Sequence, residues 1–216
     1  MKPLVAVIDY GMGNLKSVSQ AAMRAAYDTP YEVLITHDPS DVDRAERVIL
    51  PGQGAMRDCM RELAHSGLRE AVLDAMTQKP VLGICVGMQM LLDHSEEQDT
   101  PGLGLIQGKV RRFKLEDVLS NAGQRYKIPQ IGWNQVKQRD TSHAMWAGIP
   151  DLSWFYFVHS YYADPQRDSD VASHTEYGVD FVSAIARDNI FATQFHPEKS
   201  AQHGLQLFQN FLSWSP

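Results

Sequence analysis

Cysteine is scarce in this chain, with two among 216 residues, Cys59 and Cys85. Two thiols are too few for a disulfide scaffold, and zinc-type spacing is absent, so reduced thiols, a cytoplasmic setting, no metal and no cofactor are expected. No apolar run approaches the about 20 residues that cross a bilayer. The first one, "PLVAVIDY", is short, follows a single lysine and runs into Asp9, so it reads as a strand rather than a secretory signal. Runs of Lys or Arg are also missing, and the net charge is −6, which argues against a nucleic-acid partner. Repeats, low-complexity segments and separating linkers are absent too, which leaves one domain over residues 1–216.

What is present is an alternation of strand and helix patterns. "LVAVIDY" (4–10), "EVLIT" (32–36), "RVILPG" (47–52) and "PVLGIC" (80–85) read as strands. Helical spacing occupies 14–26 and the stretch from Met56 to Met76, with a break at Gly67, and resumes just after Cys85. This order predicts an α/β fold: a doubly wound, mostly parallel sheet with helices on both faces. Continuous runs such as "LVAVI" fit strands buried on both sides. The second half reads as additional antiparallel strands, over 102–113, 130–138, 153–163, 181–188 and 190–196, before a final helix through Leu205, Phe208 and Leu212. Polar stretches 114–128 and 164–170 read as loops.

Cys85 stands in "GICVG", a nucleophile between two glycines at a strand-to-helix seam. Glycines there admit a sharp turn against neighbouring backbone. The following helix would point its N–H groups at the sulfur and favour thiolate, and the Val86 N–H could donate to an oxyanion. Cys59, in a helical stretch, has no such setting and reads as a buried structural thiol. A thiol nucleophile needs a base, and "FATQFHPEKS" offers one. Pro197 disfavours helix at His196, so His196 and Glu198 would project together from an extended segment, the carboxylate orienting the imidazole. "LPGQG" (50–54) could supply a second oxyanion donor or be an ordinary turn. A noncatalytic doubly wound module with an unreactive Cys85 is the competing reading.

"PGQG", "GICVGMQ" and "HPEKS" together resemble the class I glutamine amidotransferases, across nearly the whole chain. "DYGMGNL", "GWN" (132–134), "FVHSYY" (157–162) and "QFHPEKS" (194–200) narrow this to the glutaminase subunits of imidazole glycerol phosphate synthases. The resemblance implies hydrolysis of L-glutamine by a Cys85–His196–Glu198 triad through a γ-glutamyl thioester. It implies an oxyanion hole from the Gly52–Gln53 peptide and Val86, and glutamine contacts from Gln89, Glu97, Ser160 and Tyr161, with Glu96 the alternative to Glu97. It also implies a (β/α)8-barrel synthase as heterodimer partner, near Gly11, Asn14, Trp133 and Lys199. Amidotransferases for anthranilate, guanylate or pyridoxal phosphate share the triad, but "DYGMGN" and "GWN" speak against them. One departure is Gln130, where relatives commonly place His before "GWN".

Overall fold

The computed structural model describes residues 2–115, 118–120 and 123–216. Its first half alternates as the sequence pattern requires. β1 (Leu4–Ile8), α1 (Leu15–Ala25), β2 (Glu32–Thr36), α2 (Pro39–Arg44) and β3 (Arg47–Gly52) lead to α3 (Met56–His65), α4 (Arg69–Gln78) and β4 (Val81–Cys85). β1, β3 and β4 are buried at every position, which is why they read as unbroken apolar runs. The four join in the order β2-β1-β3-β4 through parallel pairings. The chain leaves β1 toward one edge and returns past it to β3. Right-handed crossovers then put α1 on one face and α2 and α4 on the other, so that α1 packs on α6 while α2 packs on α4.

The second half extends this sheet. After α5 (Val86–Gln89) come β5 (Leu92–Ser95), β6 (Thr100–Pro101), β7 (Ile106–Arg112), β8 (Gln130–Gln138), β9 (Ser153–His159), β10 (Tyr161–Pro165) and β11 (Val171–Glu176). β12 (Asp180–Arg187), β13 (Ile190–Thr193) and α6 (Ala201–Ser213) complete the chain. β13 returns to the centre and pairs parallel with β4, while β12, β10 and β7 follow outward through antiparallel pairings. β11 and the β8–β9 ribbon branch off β12.

Four expectations change. The run 153–163 is two strands broken at Ser160, because β9 pairs with β8 while β10 crosses to β7. The expected strand 102–113 begins at Ile106; before it, Gly102 and Leu103 bond back to Asp93 and Met90. The expected loop 164–170 holds the end of β10 and a 3-10 turn, Asp168–Asp170. Within 114–128, Leu119 bridges Arg125, and residues 116–117 and 121–122 lie outside the described residues. α2, β5 and β11 carry no sequence signature strong enough to read. α2 buries only Val42, so its polar run lacks an amphipathic stripe.

β9 and α6 together position the segment after β13. Phe155 and Phe157 point inward from β9 and pack on Phe195, with ring centroids 4.2 and 5.8 Å apart. The His196 N–H donates to the Tyr156 carbonyl (2.8 Å). Ser200 Oγ donates to the His196 carbonyl (2.6 Å) and accepts from the Tyr156 N–H (3.0 Å). Gly204 lets α6 approach this turn, since a Cβ there would overlap the Pro197 carbonyl oxygen. Gly204→Ala is therefore expected to lower unfolding free energy by about 1–3 kcal/mol through overpacking. Urea denaturation measures this, and wild-type stability in the variant would show that the turn does not lean on α6.

Candidate active site

Cys85 ends β4 with φ +55° and ψ −111°, a conformation that strains an L-residue by about 1–3 kcal/mol. Neighbouring backbone holds it there. Gly52 pairs with Cys85 in register, and a Cβ on Gly52 would lie 2.6 Å from the Gly87 nitrogen. A Cβ on Gly87 would overlap the Leu50 carbonyl oxygen. The glycine at 83 is less constrained, with Ala192 Cβ at 3.0 Å. The expected helix after Cys85 is a single turn, α5, because the chain turns at Met90–Leu91 into β5. A turn of four residues carries little macrodipole, so the electrostatic support for the sulfur comes mainly from side chains.

The imidazole is the first of these. His196 is extended, as Pro197 requires, but Pro197–Lys199 forms a 3-10 turn. Glu198 therefore reaches His196 by folding back, not by strand alternation. His196 Nδ1 and Glu198 Oε1 are 2.8 Å apart, with the Glu198 side chain fully buried. That bond leaves Nε2 for the sulfur. Burial pushes the imidazole pKa down, but the Cys85 sulfur, by charge and hydrogen bond, and Glu198 outweigh it and carry His196 up to about 10. Asn14 sits at the N-cap of α1, yet its side chain makes no cap bond. Its Nδ2 donates instead to Glu198 Oε1 (3.4 Å).

A cavity of about 340 Å³ opens over the sulfur, lined by Gln53, Val86, Gln89, Glu97, Tyr161 and His196 among others. Ser160 and Lys199 also line it. Gln89 Nε2 donates to the Tyr161 carbonyl (3.2 Å) and to Gln194 Oε1 (2.9 Å). Glu97, not Glu96, faces the cavity: its Oε2 accepts from the Met56 N–H at the start of α3 (2.7 Å). Glu96 accepts from the Arg112 N–H (3.0 Å) on β7. Sequence reasoning missed Gln194, whose Nε2 donates to Cys85 Sγ (3.7 Å); it stood inside "QFHPEKS" without a role. Gln130 is buried, and its side chain lies 2.9 Å from His159 Nε2. His159 Nδ1 donates to the Tyr161 carbonyl (2.7 Å), and burial lowers this imidazole to about 4, so it stays neutral behind the cavity wall. With Nδ1 protonated, Nε2 can only accept, so the Gln130 amide, whose Oε1 faces it, is assigned the reverse orientation with its NH2 toward the ring.

Of the remaining expected residues, Lys199 lines this cavity, whereas Gly11 and Trp133 are not part of its lining. Trp133 is half exposed on β8 and packs edge-on against Tyr156, with centroids 6.0 Å apart. Lys199 is exposed, with Nζ 5.8 Å from the Tyr156 ring centre. Tyr156 had drawn no attention in the sequence, although its outward place in the alternation of β9 was a usable signal. Gly11 is exposed at φ +88°, where its N–H donates to Asp9 Oδ1 (3.0 Å).

Comparison with known proteins identifies the family. The family model for glutamine amidotransferase class-I matches residues 6–214. The imidazole glycerol phosphate synthase subunit HisH of Dechloromonas aromatica is 56% identical over 98% of this chain and 97% of its own. The subunit of the same name from Aromatoleum aromaticum is 55% identical over 98% and 99%. Among solved structures, PurLQS from Thermotoga maritima superposes with a TM-score of 0.68 at 19% identity, over 99% of both chains, which is a likeness of fold. The chain belongs to the class I glutamine amidotransferase family, among the HisH-type subunits of imidazole glycerol phosphate synthase.

Proposed function

We propose that this chain, acting as a single domain over residues 1–216, hydrolyses L-glutamine and passes the ammonia to a synthase partner. The observation that carries the reading is the strained Cys85 sulfur in one cavity with His196, itself bonded to Glu198 at 2.8 Å. The Cys85 thiolate attacks the side-chain amide carbon of glutamine, and the oxyanion is met by the N–H groups of Val86 and Gln53. The C–N bond then breaks, and ammonia leaves with the proton of the His196 imidazolium. Water next attacks the γ-glutamyl thioester and yields a proton to His196. The C–S bond breaks, releasing glutamate and the thiolate. Glu198 holds the imidazole in one orientation and stabilises its charged form.

Gln89, Glu97, Ser160 and Tyr161 hold the polar groups of the substrate. Glu97 offers a carboxylate to the α-ammonium, while donors near Ser160 and Tyr161 serve the α-carboxylate. A surface that includes Gly11, Asn14, Trp133 and Lys199 docks a (β/α)8-barrel synthase in a cytoplasmic heterodimer. There ammonia joins a phosphorylated ribulosyl acceptor, giving imidazole glycerol phosphate and an aminoimidazole carboxamide ribotide in histidine biosynthesis. The names of the HisH relatives support this acceptor over those of other amidotransferases.

Two measurements test the mechanism. Cys85→Ala is expected to lower glutamate release by more than about 10³-fold, with partner binding intact. Activity retained by that variant, assayed together with the barrel synthase, would sink the thioester route. Glu198→Gln removes an influence that raises the His196 pKa. The imidazolium is then lost at a lower pH, so the alkaline limb of the kcat profile should move down. A limb that stays in place would separate Glu198 from the titration of His196.

A further inference from the structure

Two buried side chains outside the cavity lining bond to the "PGQG" strand. The Tyr10 hydroxyl donates to the Pro51 carbonyl (2.8 Å). Its other polar neighbours, Met90 Sδ at 3.6 Å and the Cys59 sulfur, are weaker acceptors, and the Cys59 contact links the two side chains to each other. Cys59 Sγ, on α3, donates to the Gln53 carbonyl (3.4 Å). Both residues are buried, Tyr10 at 3% exposure and Cys59 at 0%. The two bonded carbonyls belong to the peptides immediately before and after Gly52–Gln53. That middle peptide carries the Gln53 N–H, and glycines stand on both sides of Gln53, with Gly54 at φ +89°. On its inner side the strand cannot shift, since the Gly87 backbone fills the space beside Gly52.

We propose that Tyr10 and Cys59 are positioning residues of the oxyanion strand, anchoring the carbonyls on either side so that the Gly52–Gln53 peptide alone can rotate. This rests on the glutaminase reading above. One peptide turning between two fixed neighbours delivers its N–H to one place. Without the anchors the rotation spreads along the strand and the donor arrives over a range of positions. The loss falls on the transition state, where the oxyanion exists, and spares glutamine's α-groups, held elsewhere in the cavity. Burial pushes the Cys59 thiol above its usual range, which keeps its proton available for donation.

The test uses the complex of this chain with its barrel synthase under turnover, following glutamate release. Tyr10→Phe keeps the ring and removes the donor. It is expected to lower kcat about tenfold, roughly the worth of one hydrogen bond, with KM for glutamine within about twofold. Cys59→Ala should lower kcat about threefold, and Cys59→Ser, which keeps a donor, should restore it. Alkylation of Cys85 by iodoacetamide, which needs no oxyanion donor, should proceed at the wild-type rate in all three. Unchanged kcat in Tyr10→Phe overturns the proposal. So does a matching loss of iodoacetamide reactivity or a rise in KM, which would mark general disruption. A wild-type complex that releases no glutamate overturns the glutaminase reading itself.

Discussion

The backbone of Gly87 lies against the Leu50 carbonyl oxygen with no room for a carbon between them, and most of the site follows from that contact. It brings the chain after β4 down onto the end of β3 and forces Cys85 into a positive φ. The sulfur is then lifted over the sheet rim, and Gly52 stands beside it in register. The Cys85 thiol and the end of β3 are set side by side by main-chain packing.

A second constraint fixes the base. The turn after β13 hangs between β9 and α6, held by Ser200, by the Tyr156 backbone and by aromatic packing on Phe195. His196 and Glu198 thus sit on a rigid platform. The hydrogen bond from Asn14 to Glu198 ties the start of α1 to the same carboxylate. Asn14 is thus in direct contact with the carboxylate bonded to the imidazole, while Lys199 and Trp133 both pack on Tyr156. A partner that moves Asn14 would act on Glu198 directly.

Two histidines in the cavity wall are pushed in opposite directions. The raised pKa of His196 expresses its neighbours' negative charge more than its own burial. His159, close behind, is driven the other way by burial and remains a neutral strut. Two imidazoles in one wall thus have opposite protonation, and the difference is whether a carboxylate and a sulfur stand within reach.

Chain order alone determined the parallel half of the sheet, the thiol, the imidazole, the carboxylate and the glycines that let backbone meet backbone. Each of these is a local matter: an apolar run, a glycine on either side of a cysteine, a proline after a histidine. Tertiary structure decided the rest. It ended the helix after Cys85 at one turn, split 153–163 at Ser160 and chose Glu97 over Glu96 for the cavity. It also brought in Gln194, 109 positions from Cys85, and Tyr10, 41 positions from Pro51. Contacts at such separations leave no pattern in neighbouring residues, because only the closing of the sheet brings the two ends together.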